Sequence, residues 1–335
     1  MIQQDMTSHY VRYQTLIWPS VMKTTHDMRP SYKTIDMSTL YTYILAFNPQ
    51  KVTLALEEKS LLGSTKVSTA DVFSGQSLRP WFMKINANST VPVLITEDKK
   101  VLNQTLDILR HIDALGDMPL GGDKVDRALA NEFWETLHAW DGNLFAGANI
   151  KPAERGILES LSVYRTKVAE AEKKRAEVSG DKELVAAYDA KIAEMASTRA
   201  LTKDADSVAE NKKALGALLD RAEGLLEKNS YLAGPAYSMA DVLMTTILFR
   251  IGMVGQTKEW LQPRPKVRYE PGPKIVGSRL QSRPKLSQYY NDKIKTRPSY
   301  RKVFGPPSNK LTAASMILPC LLRAKVAGIT EIVLN

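Results

Sequence analysis

Apolar positions in the first third of the chain switch repeatedly between a strand period and a helix period. Met37 opens Ser38 to Leu45, a run of aromatic and branched residues that predicts a first strand. Asn48 and Pro49 then start a helix, with Asn48 as N-cap and Pro49 at the first helical position. Val52, Leu54, Ala55, Leu56 and Leu61 recur at helical spacing behind them. A second strand is expected around Thr65 to Phe73, Trp81-Phe82-Met83 form a short apolar segment, and Val91 to Ile95 reads as a third strand. Lys99 to Leu102 returns against it as a hairpin, and Gln104 to Leu115 forms a short amphipathic helix.

The remainder is patterned for helices alone. One aromatic-rich helix is predicted from Asp123 to Phe145, where Leu129, Phe133, Leu137, Trp140 and Leu144 fall at three-to-four spacing as core positions. Two Ala/Lys/Glu-rich helices, about Ile157 to Glu177 and Glu183 to Ala200, meet at Ser179-Gly180-Asp181. They carry few large apolar residues and so predict a protruding, partly solvated hairpin. Asp206 to Lys228 is a further helix. In Ser238-Met239-Ala240-Asp241 a serine caps the next, apolar helix, and the carboxylate three residues on reaches back to the serine amide. This N-capping box of Ser238 and Asp241 is structural rather than catalytic. Residues 262–284 are basic, Pro/Gly-rich and without periodicity, as expected of a loop.

Composition narrows the classes. A chain of 335 residues that is 44% hydrophobic buries a sizeable core and suggests two domains. A single cysteine, Cys320, excludes a disulfide framework, and His9, His26, His111 and His138 have no metal-ligand spacing, so no metal is expected. Cys320 itself, set in an apolar run, reads as a small buried or lipid-facing residue. The net charge of +10 is concentrated: residues 261–325 hold 15 lysines and arginines against two acids. That concentration points to an acidic partner such as an anionic membrane surface, and away from a nucleic-acid face spread over the domains. Residues 1–36 lack the apolar run of a signal peptide and are expected to be a flexible extension. Leu311 to Leu322 is apolar but shorter than the roughly 20 residues needed to span a bilayer, and Pro319 would kink a helix there. The tail at 305–335 therefore lies in a membrane interface or packs back on the domain, and the adjacent basic excess favours the interface.

The order strand, helix, strand, connector, hairpin, helix, with a proline opening the third strand, resembles the thioredoxin-like domain of the glutathione transferases. LYTYILAFNPQKVTLALEEK and NANSTVPVLITEDKKVLNQTLDILRHID carry the resemblance, and YLAGPAYSMADVLMTTILFRIG is similar to the buried helix of the transferase C-terminal domain. Within the superfamily, RPWFMKINANSTVPVLI and the long helical insertion resemble the ganglioside-induced differentiation-associated protein 1 family. The plant tetrachlorohydroquinone-dehalogenase-like transferases are the next nearest match. The resemblance implies an α/β thioredoxin-like domain over residues 37–117. An all-α domain would follow over 123–304, with a helical insertion at about 156–205. It further implies glutathione as ligand or co-substrate, no other cofactor, and a homodimer. The expected location is the cytosolic face of the mitochondrial outer membrane, with the cytoplasm as the alternative. The ganglioside-induced family carries a membrane anchor farther along than this sequence reaches.

The resemblance also places the candidate site. Val91 would pair with the cysteinyl moiety of glutathione if the Val91-Pro92 bond is cis; a trans proline at an edge strand accounts equally well for the same tripeptide. Gln104 and Thr105 stand where the family has an acid followed by a serine that hold the γ-glutamyl group at a helix start. Thr105 reads as readily as a plain helix-end residue. Ala46 stands where a serine-type transferase carries its hydroxyl. Asn48 is the one polar side chain at that turn and is read first as a helix cap, second as a weak catalytic candidate. Lost donation to the thiolate can cost roughly 3 kcal/mol, so weak or absent conjugation is expected. Two functions follow: a membrane-associated protein of mitochondrial dynamics or redox regulation that binds glutathione, or a working transferase for small hydrophobic electrophiles.

Overall fold

The computed structural model describes residues 37–261 and 283–326. The expected extension at 1–36, nearly all of the expected basic loop at 262–284 and the tail from 327 lie outside the described residues. From Met37 on, four short strands form one mixed sheet in the order β2-β1-β3-β4. They are β1 (Thr39–Thr42), β2 (Lys66–Thr69), β3 (Val93–Ile95) and β4 (Val101–Leu102). β1 runs parallel to β2 and antiparallel to β3, with Leu40 opposite Val67 on one side and Leu94 on the other. The parallel pair requires a crossover, which helix α1 (Phe47–Glu58) supplies. Helix α2 (Pro80–Met83) is short, and α3 (Thr105–Ala114) follows the β3-β4 hairpin.

Ten α-helices follow among the described residues: α4 (Arg127–Ala139), α5 (Gly142–Asn149), α6 (Pro152–Ser179), α7 (Lys182–Leu201), α8 (Ala205–Leu226), α9 (Met239–Met253), α10 (Thr257–Leu261), α11 (Pro284–Gln288), which runs on as a π-helix over Tyr289–Ile294, α12 (Pro298–Ser308) and α13 (Lys310–Val326). A mixed sheet followed by a wholly helical part is the expected fold class. The two parts share one core. Leu40, Phe47 and Leu54 pack in a single buried cluster with Phe133, Trp140, Leu243 and Ile247. Phe47 meets Trp140 edge-on at 5.8 Å, and Gly142 is needed beside it, because a Cβ there would sit 2.5 Å from the Phe47 ring.

Three expectations need correction. Asn48 is not the cap of α1: Ala46 is, since its carbonyl accepts from the Gln50 amide at 3.3 Å and the helix already begins at Phe47. The single helix expected from Asp123 to Phe145 is two, α4 and α5. Asp141 breaks the run by accepting from the amides of Asn143 and Leu144 at 2.8 and 2.9 Å, which starts a new helix. Helix α13 runs on through Pro319, the residue expected to kink it.

The α6-α7 hairpin, finally, packs against the sheet domain as well as on itself. Its Ala169, Ala176, Leu184, Tyr188 and Met195 bury Leu78 and Met83, and Tyr188 Oη donates to the Leu78 carbonyl at 2.8 Å. Small alanines let the backbones approach, so a face with few large apolar residues still forms a core.

Part of the basic excess is absorbed by the fold. Arg283 is buried, donates to Asp220 through Nε at 2.8 Å and to the Trp260 carbonyl at 2.8 Å. Arg297 pairs with Glu58 and Lys302 with Glu57, tying the start of α12 to the end of α1. Helix α13 packs on α6 and α12, with Cys320 and Leu321 buried against Leu161. Burial, and an Asp71 carboxylate that accepts from its Sγ at 3.5 Å, push the Cys320 thiol up to about 12. Among the described residues no helix is long and apolar enough to cross a membrane.

Candidate functional site

Several loops and helix ends converge on one cleft of about 510 Å³. Its floor comes from the sheet domain: Asn48 in the first turn of α1, Thr90 and Val91 ahead of β3, and Gln104 and Thr105 at the start of α3. The Val91-Pro92 peptide is cis. The loop before it is held by Asn86, whose Nδ2 donates to the Thr90 carbonyl at 2.9 Å while its Oδ1 accepts from the Asn88 amide at 3.2 Å. Ser89, at a φ of 52°, is anchored by donation from its hydroxyl to the Ser77 carbonyl at 2.6 Å. Gln104 is the N-cap residue of α3 without capping it through its side chain, so that the helix end is left open to accept an anion. Three expected ligand residues, Val91, Gln104 and Thr105, and the weak catalytic candidate Asn48 thus border one space, whereas Pro92, also expected at the ligand, does not line it. Ala46 precedes it as the α1 cap and brings no donor. Ser238 and Asp241 lie elsewhere, fully buried at the start of α9.

The other walls were not legible as site residues in the sequence. Helix α7 contributes Ala190, Lys191 and Glu194, and α4 contributes His138. Lys191 is nearly buried and pairs with Glu194; its amine is held below the usual lysine range by burial. Behind His138 stands Lys51, wholly buried, with its Nζ 3.4 Å from His138 Nδ1 and 4.2 Å from the Phe47 ring centroid. Burial first, and then the Arg250 guanidinium, lower the Lys51 amine to about 7. Burial, then Lys51 and Arg110, lower His138 to about 4. Arg250 is itself buried, with Nε and Nη2 unpaired among the described residues.

One signal was available: Phe47, Lys51, Leu54 and Glu58 follow a helical stripe, so two charges sit on positions that the period assigns to the interior. Arg250 is likewise the lone base in an otherwise uncharged stretch of α9. Two tyrosines of the expected first strand bring their hydroxyls elsewhere. Tyr41 packs against Trp81 and Phe82, and Tyr43 is buried, its hydroxyl held above its ordinary range by burial and by Asp71. Neither borders the cleft.

Both depressed bases set a pH dependence. Between about pH 4 and 6.5 the unfolded chain protonates His138 while the folded chain resists, and between about 7 and 10.5 the same holds for Lys51. In each window the unfolded state binds more protons, so stability contributed here rises with pH. Urea titrations across pH should show the upper rise in the parent protein and its loss in Lys51→Met; an unchanged slope would contradict the burial of that amine.

With the right charge and donors, the cleft can hold an extended, polar, anionic ligand: an open helix end for a carboxylate, main-chain groups at Val91, and cations at its back and side. Among the described residues no cluster of histidine, cysteine or acidic groups fit to bind a metal occurs.

Comparison with known proteins bears on what that ligand is. Residues 48–115 match the model of the glutathione S-transferase N-terminal domain, and residues 169–268 that of the C-terminal domain. The chain is 27% identical to glutathione S-transferase TCHQD of Arabidopsis thaliana, covering 79% of this chain and 89% of that one. Similarity to the human ganglioside-induced differentiation-associated protein 1-like 1 is also 27%, covering 85% and 78%. Among solved structures, the beta-etherase LigF of a Sphingobium species superposes with a TM-score of 0.55 at 18% identity, covering 80% of this chain and 99% of that one. Gtt2 from Saccharomyces cerevisiae gives 0.51 at 17%, covering 79% and 99%.

Proposed function

The chain belongs to the glutathione transferase superfamily, and from that premise we propose that it binds glutathione in the cleft at Val91, Gln104 and Thr105 and conjugates it weakly or not at all. The observation that carries this reading is the meeting of these three residues in one cleft whose α1 cap, Ala46, has no hydroxyl. The α3 N-terminus and the Thr105 hydroxyl suit the γ-glutamyl carboxylate. Gln104 can accept from the ammonium but brings no charge. Similarity to the ganglioside-induced relative, together with the long α6-α7 insertion, supports a non-catalytic or specialised role of that type, in mitochondrial dynamics or redox regulation.

Membrane association belongs to the same proposal. Leu311, Leu318, Leu322 and Val326 of α13 are exposed beside the basic segment, which suits a helix lying on an anionic surface at the outer mitochondrial membrane. A cytoplasmic protein is the alternative, and a homodimer is part of both. Similarity to the plant relative, named as a glutathione S-transferase, supports the rival reading of an active transferase for small hydrophobic electrophiles.

Calorimetric titration with glutathione tests the proposal directly. Binding that Thr105→Ala weakens supports it, and the absence of any heat or retention on immobilised glutathione refutes it. A conjugation assay then separates binder from enzyme. Sedimentation with anionic vesicles, with and without residues 311–335, tests the membrane part, where equal distribution of both forms would reject it.

A further inference from the structure

Resting on the glutathione reading above, we propose that His138 replaces the missing α1 hydroxyl: its Nε2–H donates to the sulfur of glutathione bound as the thiolate, and Lys51 is the positioning residue that fixes this tautomer. Lys51 Nζ carries N–H donors whether charged or neutral and lies 3.4 Å from His138 Nδ1, where it can donate; in that arrangement Nδ1 is the acceptor. A neutral imidazole then carries its one proton on Nε2. His138 lines the same cleft as Asn48 and Val91, the residue that would pair with the cysteinyl moiety.

The surroundings keep the ring in that state. Lys51 faces it from α1, Arg110 acts on it from α3, Arg250 acts on Lys51 from α9, and Lys191 and Glu194 of α7 line the same cleft. Four of these five groups are bases, which disfavours imidazolium and favours an anion on the ligand. With its pKa held down to about 4, His138 stays neutral and donates throughout the neutral range. The ionisation itself balances simply: the S–H bond of glutathione breaks, the proton passes to solvent buffer, the electron pair stays on sulfur, and His138 keeps its own proton. No protein group is consumed.

The test reads the ionisation of bound glutathione by its ultraviolet thiolate absorbance across pH, and the affinity for S-methylglutathione, which has no thiol, by calorimetry. His138→Gln places an N–H near the Nε2 position, whereas His138→Asn places it near Nδ1. The proposal expects the bound thiol to titrate below its free value in the parent protein and to stay low in His138→Gln. It expects an upward shift of about one unit, roughly tenfold less thiolate at neutral pH, in His138→Asn and in Lys51→Met. S-methylglutathione should bind all four proteins about equally, which shows that the cleft persists. If both ligands bind and the thiol titrates alike in every variant, His138 is not the donor although the glutathione reading stands. If neither ligand binds the parent protein, that reading falls and takes this one with it.

Discussion

Replacing Asp241 with alanine is expected to destabilise the folded protein by roughly 3–5 kcal/mol, the largest single effect of any substitution considered. Asp241 is fully buried and its two oxygens accept four hydrogen bonds. Oδ2 takes the Ser238 amide at 2.9 Å and the Ser238 hydroxyl at 2.8 Å, and Oδ1 takes the Leu232 amide at 3.0 Å and the Tyr289 hydroxyl at 2.8 Å. The carboxylate thus fastens the turn before α9, the helix start and the segment after α11 at one point. Truncation leaves four donors without an acceptor in a site closed to water, and each unmet donor costs far more than a surface contact returns. Asp241→Asn keeps one acceptor oxygen and should lose less. Urea unfolding checks both; a midpoint unchanged by Asp241→Ala would show that the interior can rehydrate there. The pKa of this carboxyl is raised by burial in spite of its donors, which fits a group whose surroundings exclude water.

Removing Glu58 should have the next largest effect, about 2–4 kcal/mol, because it leaves Arg297 without its carboxylate in a site only partly open to solvent. Glu58 is nearly buried at the end of α1, accepts from Arg297 Nε at 2.8 Å and also receives Arg297 Nη2 and the Ser299 hydroxyl. Arg297 in turn lies 4.0 Å from the Tyr237 ring centroid. These contacts join the sheet domain to the helical one near the shared core, so their loss should loosen the joint before either part unfolds. In Glu58→Ala, far-ultraviolet dichroism and tryptophan fluorescence are expected to give separate urea transitions, where the parent protein gives one. A double-mutant cycle with Arg297→Ala should recover a coupling of at least about 1 kcal/mol; additivity of the two losses would show that the pair contributes nothing jointly.

The elements and the candidate site were legible to different depths. Strand and helix order followed from periods of two and of three to four, and the Ser238-Asp241 box followed from spacing alone, because a cap and its helix are neighbours in sequence. Helix boundaries were less legible. Asn48 has the side chain of a cap, yet the turn formed by Ala46 N–H on the Tyr43 carbonyl at 2.9 Å brings the helix start forward, and Asn48 is left to face the cleft. The hairpin at α6-α7 was misread because alanines count for little in a hydrophobic pattern and for much in close helix packing.

By itself, then, the sequence determined the class of the fold, the order of its elements, the cap at α9 and the polar residues that border the cleft from the sheet domain. Those properties depend on residues a few positions apart and on the side of an element each one faces. Only the tertiary structure decided that α7 closes the cleft, that part of the basic segment is spent on Asp220, Glu57 and Glu58, and that Lys51 stands against His138, 87 positions away. An amine on a helical stripe becomes a buried base near neutrality only when α4 and α9 exclude water from it. That exclusion is a property of the assembled packing, and no local period records it.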